Sequence, residues 1–321
     1  MELGYVSVQN GAVVEWVPPK NLFHHRWNRW TPTINYIHDY AKNHVGWGGE
    51  FFVCVYDGWR EYSSYAEEGS RKYVSWRDVE HDKFLGFGIA NEPRFRHRHD
   101  DITIYPEMPR KVLAYNRHLN DRNAILIPDS EFIITRFASY LQQVKNGDIP
   151  WGQKASKLVW RGSPLSFNGN AFYGYESNSR RQRDVAVSLS SKPEYRDVID
   201  ASYTPTPIPW MLRHKYMLDI DGTVNAWSAL WWKMSSNSLV WKLKTHWQQW
   251  YYDMLIPYQH YVPLSDFSQI REVFDWCEHN QPTCLAIVKE AKQLMQKLTY
   301  EFAISEYEVA SIPSISRDNF S

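Results

Sequence analysis

One stretch limits the fold of this chain more than any other: Lys215 to Lys242, KYMLDIDGTVNAWSALWWKMSSNSLVWK. An apolar run of Tyr216, Met217, Leu218 and Ile220 ends in Asp221-Gly222. A turn of small residues follows, then an amphipathic segment, then Ser-Asn-Ser and a second apolar run, Leu239 to Trp241. Strand, turn, helix and strand in that order make one unit of a parallel sheet. Such sheets bind ligands at the carboxyl ends of their strands, beside helix N-termini. The loop Asp221 to Ser228 is therefore expected to form one wall of a binding site.

Two chemistries can be read from the acidic residues of this unit. Asp219-Ile-Asp221-Gly222-Thr223-Val224 after an apolar strand matches the first motif of haloacid-dehalogenase-type phosphotransferases, with Asp219 as nucleophile and Asp221 as acid/base. That chemistry also needs a downstream Lys and a later acidic pair for magnesium, and Asp253, Asp266 and Asp275 stand alone. Asp219-x-Asp221 could instead hold a metal on a nucleotide-sugar diphosphate. Alternate residues of a strand face opposite ways, so both carboxylates reach one ion only if the strand has already ended. The plainer reading of Asp219 is a strand-end carboxylate that caps neighbouring groups.

The rest of the chain reads as alternating strands and helices, hence an open α/β sheet. Val6–Val8, an Asn10-Gly11 turn and Val13–Trp16 predict a hairpin. Pro32–Asn43 has helical spacing. Glu50–Tyr56, Phe84–Ile89 and Ala124–Ile127 predict buried strands, and Ile133–Val144 a helix. Gly147–Gly152 is rich in turn residues and predicts a domain boundary. Beyond it, Lys157–Ser163 predicts a strand, Arg180–Leu189 a helix, Tyr261–Pro263 a strand, and Ser265-Asp266 a cap on a helix over Ile270–Glu278. From Thr283 onward the spacing predicts a single long helix.

A chain of 321 residues suits two domains. Its formal charge of zero argues against a polyanionic partner such as nucleic acid, and Arg94–Arg98 is followed at once by Asp100 and Asp101. Cys54, Cys277 and Cys284 form neither a disulfide framework nor a metal spacing, which points to a reducing compartment. The start MELGYVSVQNGAVVEW has no signal-peptide pattern and no apolar run can span a bilayer, so a cytoplasmic location is expected. The 16 Trp and 21 Tyr suit stacking on sugar rings as well as ordinary core packing, and so decide nothing.

KYMLDIDG, then Trp227-Ser228-Ala229, then MSSNSLVWK resembles glycosyltransferase family 90, the protein O-glucosyltransferases and fungal capsule xylosyltransferases. Further matches fall in order from about Phe51 to Tyr307: Val55-Tyr56-Asp57, Ile127–Phe132, Trp160-Arg161-Gly162-Ser163, Arg183-Asp184, and Trp250–Pro263 ending in His260-Tyr261-Val262-Pro263. The resemblance implies two Rossmann-like domains facing across a cleft, the GT-B arrangement, with a last helix crossing back. The domains would be 1–150 on the acceptor side, 151–296 on the donor side, and 297–321 packing back on the first.

It also implies an inverting transfer of xylose or glucose from a UDP-sugar to a glycan or glycoprotein hydroxyl, without metal or other cofactor. Asp57, just past a buried strand, is then the base that takes the acceptor proton; an Asp before Gly can equally be a turn residue. Arg183 is the expected clamp on the leaving diphosphate. Trp160, Arg161, Gly162, Ser163, Asp221, Gly222, Asn225, Ala226, Trp227 and Ser228 are expected around the donor, with a structural role as the alternative for Arg161, which directly precedes Gly162. The family usually carries Arg after Trp-Ser-x. Here Leu230 takes that place, and Lys233, one turn on, is the nearest substitute charge. A haloacid-dehalogenase-type phosphatase and a UDP-sugar-binding relative without catalysis are the alternatives.

Overall fold

The computed structural model describes residues 4–18, 24–55, 60–61, 73–74, 111–119, 124–163, 176–222, 225, 227–245 and 247–309. Among the expectations above, Asp57, the strand Phe84–Ile89 and Ala226 lie outside the described residues.

The first half is a mixed sheet with strand order β2-β1-β3-β4-β6. Strands β1 (Gly4–Gln9) and β2 (Ala12–Val17) form the expected hairpin. Its turn needs Asn10 at φ 50° and Gly11 at φ 77°, the left-handed pair that a tight hairpin favours. Helix α1 (His24–Asn43) starts well before the expected Pro32 and takes that proline inside. Pro32 has no N–H for the carbonyl four residues back, and the Thr33 hydroxyl beside it donates to the Arg29 carbonyl at 2.6 Å. Strand β3 (Gly49–Cys54) pairs antiparallel with β1 and parallel with β4 (Lys111–Ala114). Strand β6 (Ala124–Leu126) closes the sheet beside β4.

The helix expected over Ile133–Val144 is two helices, α2 (Ser130–Thr135) and α3 (Ala138–Gly147). Arg136 and Phe137 between them are both left-handed, with φ of 55° and 54°. The break lets Phe137 pack edge-on against Trp231, ring centres 5.4 Å apart, and puts Arg136 3.7 Å above the Tyr300 ring. Packing against two later segments thus overrides local helical spacing.

The second half is a wholly parallel sheet of β7 (Ala155–Arg161), β8 (Ile199–Ser202), β9 (His214–Asp219), β10 (Leu239–Leu243) and β12 (Val262–Leu264), in the order β8-β7-β9-β10-β12. Numbered along the chain this is 2-1-3-4-5, one of the two common doubly wound orders. Helix α4 (Glu176–Ser191) connects β7 to β8, a short turn α5 (Ile208–Met211) precedes β9, and α6 (Ala229–Met234) connects β9 to β10. Helix α7 (Ile270–His279) follows a single 3₁₀ turn that Asp266 caps.

The expected long terminal helix is also two, α8 (Gln281–Lys297) and α9 (Tyr300–Ser305). Leu298 is buried and Thr299 caps α9, its hydroxyl accepting from the Phe302 N–H at 3.1 Å. The break turns α9 onto the first half. There, Tyr36 donates to the Ala303 carbonyl at 2.9 Å and Tyr300 to Asp39 at 2.7 Å.

The two halves share one hydrophobic core, in which Phe132 and Phe137 pack against Leu230, Trp231, Met234 and Trp250. A two-stranded ladder also joins them: β5 (Asn116–His118), just past β4, pairs antiparallel with β11 (Trp247–Gln249). At the amino ends of the parallel strands, Asp148 binds Lys154 and the Asn237 N–H. The ladder brings the chain just past β4 beside the chain just past β10.

Candidate functional site

A doubly wound sheet opens a crevice where its strand order reverses. Here the reversal lies between β7 and β9. Strand β7 ends in Arg161 and leads into Gly162-Ser163, while β9 ends in Asp219 and leads into Ile220-Asp221-Gly222. Arg183, projecting from α4, joins the two ends. Its Nε donates to the Asp221 carbonyl at 2.9 Å and its Nη1 to the Ser163 carbonyl at 2.7 Å. Burial lowers the Arg183 pKa while Asp221 and Asp219 oppose that shift, so the guanidinium stays charged with donors left over.

Trp160 lies 5.5 Å below that guanidinium. Gly162 is required for this arrangement, because a Cβ there would sit 2.5 Å from the Trp160 indole. The Trp-Arg-Gly-Ser run is thus a packing device: the glycine admits the indole, the indole faces the arginine, and the arginine holds the serine carbonyl.

Behind Arg183 lies a buried ionic cluster. Asp219 receives Lys233 at 2.8 Å on one oxygen and Lys242 at 3.3 Å on the other. Burial alone would raise this carboxyl, but the two ammonium groups hold it down at about 2. Lys233 also donates to the Leu218 carbonyl at 3.1 Å, and Lys242 lies 4.7 Å over the Tyr252 ring. Asp221, nearer the surface, differs: burial pushes it up to about 6, against Lys242 and the Thr245 hydroxyl that hydrogen-bonds it. Two carboxylates two residues apart therefore have opposite character. Asp219 is a fixed anion and Asp221 a readily protonated one.

This corrects two expectations. Asp219 has both oxygens occupied by lysines and is nearly inaccessible, which suits neither a nucleophile open to a phosphate ester nor one half of a metal pair. Lys233 is engaged with Asp219 and Leu218, so it does not replace the missing arginine at position 230. Leu230 itself is buried in the shared core.

The loop after Gly222 is tied to β11. Asn225 Nδ2 donates to the Trp247 carbonyl at 2.6 Å, and its own carbonyl accepts from Gln249 Nε2. Trp227 has φ 84°, a left-handed backbone that bulky residues rarely adopt and that clusters at functional sites. Its ring lies 4.5 Å from the Arg29 guanidinium, and Arg29 in turn donates to the Val55 carbonyl at 3.4 Å. Val55, just past β3, precedes Asp57 by two positions, so the first half reaches the loop after β9 at that strand end.

Trp160, Gly162, Ser163, Arg183 and Asp221 come together directly, and Asn225 and Trp227 join them through Thr245 and Trp247. Gly222 continues the same strand end. Ser228 is buried and begins α6, its hydroxyl making no cap bond. Arg161 fits its structural alternative: it pairs with Asp200 at 2.8 Å, donates to the Asp200 carbonyl at 2.7 Å and lies 4.3 Å over Trp210. It fastens β7 to β8 and is not turned to Arg183. Lys242, Thr245, Gln249, Tyr252 and Asn116 were not marked by sequence reasoning. Lys242 carried one signal, a lysine inside an otherwise apolar buried strand.

The chain matches the model of glycosyl transferase family 90 from residue 89 to residue 310, more than half of its length. It belongs to glycosyltransferase family 90. Uncharacterized protein 179R of Invertebrate iridescent virus 6 is 24% identical over 200 residues, covering 50% of this chain and 17% of that protein. O-glucosyltransferase rumi of Drosophila melanogaster is 30% identical over 129 residues, 39% of this chain and 30% of that one. Protein O-glucosyltransferase 3 of Homo sapiens is 31% identical over 87 residues, 27% of this chain and 17% of that one. The match thus spans under a third of each of these relatives. The C-terminal domain of a glycosyl transferase group 1 family protein from Francisella tularensis covers 50% of this chain and 92% of its own, at 10% identity and a TM-score of 0.29.

A groove of about 700 Å³ opens elsewhere between the halves, lined by Phe132, Arg136, Trp231, Lys292, Met295 and Tyr300. It lies by Asn237, at the amino end of β10, whereas Arg183, Ser163 and Asp221 gather at the carboxyl ends of β7 and β9. No helix among the described residues is long and apolar enough to cross a membrane.

Proposed function

We propose that this family 90 protein is an inverting glycosyltransferase that moves a sugar, glucose or xylose, from a UDP-sugar to a glycan hydroxyl. The observation that carries this reading is Arg183 bridging β7 and β9 at the reversal of strand order, where doubly wound sheets bind nucleotides. The leaving diphosphate develops charge as the glycosidic bond breaks. A buried, permanently charged guanidinium with free donors stabilises that charge without reorganising, which supports transfer without a metal. The two halves would act as facing Rossmann-like domains, 1–150 presenting the acceptor and 151–296 the donor, with 297–321 packing back. Asp57 is the base that accepts the acceptor proton. Cys54, Cys277 and Cys284 are buried and none forms a disulfide, which supports a reducing, cytoplasmic setting and so work on a surface glycan or polysaccharide.

Asp57→Asn tests this reading. Transfer from UDP-glucose or UDP-xylose should fall at least a thousandfold while UDP binding by calorimetry stays within about threefold of wild type. A variant that transfers normally removes Asp57 from the mechanism. A second reading, a UDP-sugar-binding protein without turnover, is favoured by Leu230 and by the engagement of Lys233 with Asp219. Tight UDP-sugar binding with no transfer to any glycan acceptor would select it.

A further inference from the structure

Buried amides ordinarily find hydrogen-bond partners, so a wholly enclosed side chain with none calls for an explanation. Asn116 is such a residue. It is 0% exposed, and neither its Nδ2 nor its Oδ1 has a partner. Asn225 is 8% exposed, and its Oδ1 is also unpartnered. The two residues belong to different halves, yet the structure gathers them. Asn116 stands opposite Gln249 in the β5–β11 ladder, and directly opposed residues of a ladder project their side chains to the same face. Gln249 in turn donates to the Asn225 carbonyl. The cluster continues through Tyr252, which Gln249 hydrogen-bonds and Lys242 overlies, to Asp219 and the Arg183 crevice.

The position of Asn116 also fits. It follows the carboxyl end of β4 by two residues, and β4 lies parallel beside β3, with Ala114 level with Cys54. It therefore stands on the first half at the edge where β3 runs on toward Asp57. One amide belongs to the first half and one to the second, and the Gln249 side chain links their neighbourhoods. Between them they offer one donor group and two acceptors.

We propose that Asn116 and Asn225 together bind hydroxyl groups of the transferred sugar, with Asn116 acting as a specificity-determining residue supplied by the first half. Each sugar hydroxyl both donates and accepts, so a pyranose ring matches an unfilled set of both kinds. A purely apolar or purely anionic group matches neither. The inference rests on the transferase reading above. It adds that donor-sugar recognition requires both halves, so the sugar is gripped only when they are in register.

The test uses the whole chain and the variants Asn116→Leu and Asn116→Ser, with melting temperature and transfer measured in UDP, UDP-glucose and UDP-xylose. Leucine removes the amide at similar volume, and replacing an unpartnered polar group in this way does not destabilise a fold. Asn116→Leu should melt at or above the wild-type temperature and keep its stabilisation by UDP. It should lose the extra stabilisation that the UDP-sugar gives over UDP, and kcat/KM for the sugar donor should fall on the order of 10- to 100-fold. Asn116→Ser, which keeps a hydroxyl, should fall between the two. Unchanged sugar-dependent stabilisation and transfer in Asn116→Leu overturn the inference and leave the transferase reading standing. A large drop in melting temperature in the absence of ligand assigns the amide to the fold and also overturns it. A wild-type protein that binds no UDP-sugar defeats both readings.

Discussion

Replacing Asp219 by Asn separates a structural carboxylate from a chemical one. In the folded chain Asp219 neutralises Lys233 at 2.8 Å and Lys242 at 3.3 Å, and all three side chains are less than a tenth exposed. The amide would leave two ammonium groups buried without a counter-charge, a change that typically costs about 3–5 kcal/mol. The carboxyl pKa gives a lower bound. Its fall from 3.8 to about 2 is a preference of about 2 kcal/mol for the charged form in the folded state. Removal costs more than this because it strands both partners. At roughly 2 °C per kcal/mol for a chain of this size, Asp219→Asn should melt on the order of 6–10 °C below wild type at pH 7. A triple variant, Asp219→Asn with Lys233→Met and Lys242→Met, should recover much of the loss, since neither ammonium group is left without its carboxylate. The wild-type term is present above pH about 4 and is lost as pH falls through about 2, because a depressed carboxyl gives up its advantage only when protonated. Circular dichroism melts at pH 7 and pH 3 measure all of this. An Asp219→Asn protein that melts within a degree of wild type but is catalytically dead would refute the structural assignment and revive a nucleophile.

Asp221 predicts the reverse pH behaviour. Its folded pKa, raised to about 6, favours the folded state below pH about 4, and that advantage is lost as pH rises through 6. Asp221→Asn should therefore be more stable than wild type at pH 8 by about 1–2 kcal/mol, a figure reduced for partial exposure. The gap should close by pH 4, and parallel urea titrations at the two pH values would show it. Gly162→Ala should destabilise by about 1–3 kcal/mol, because the new Cβ meets the Trp160 indole at 2.5 Å. It should also weaken UDP binding through the displaced indole under Arg183, and a variant with wild-type melting and affinity would contradict that packing.

The second half was legible in the sequence because its signals are local. A parallel strand buried on both faces is a continuous apolar run, and β7, β9 and β10 all read that way. The carboxyl ends of β7 and β9 are marked by Gly-Ser and Asp-Gly, so the loops of the site could be placed before any contact was known. Contacts between distant segments were not legible. The break at Arg136-Phe137 depends on Trp231 and Tyr300, residues about a hundred or more positions away, and spacing within the helix says nothing of them. Strand β4 escaped notice because Lys111–Ala114 is only four residues long. Arg161 and Arg183 are separated by their partners: Asp200 and Trp210 for one, two backbone carbonyls at the crevice for the other. Asn116 gave no signal, because an asparagine after a short strand reads as a turn residue. Its meaning comes from complete burial beside a strand that lies far along the chain.

A co-crystal structure with UDP and an intact UDP-sugar analogue tests the central claim most directly. The account predicts the diphosphate within hydrogen-bonding distance of Arg183, between Ser163 and Gly222, with the sugar directed toward Asn116. A nucleotide lodged in the groove beside Asn237 and Lys292, or one at the strand ends that Arg183 does not touch, would contradict it.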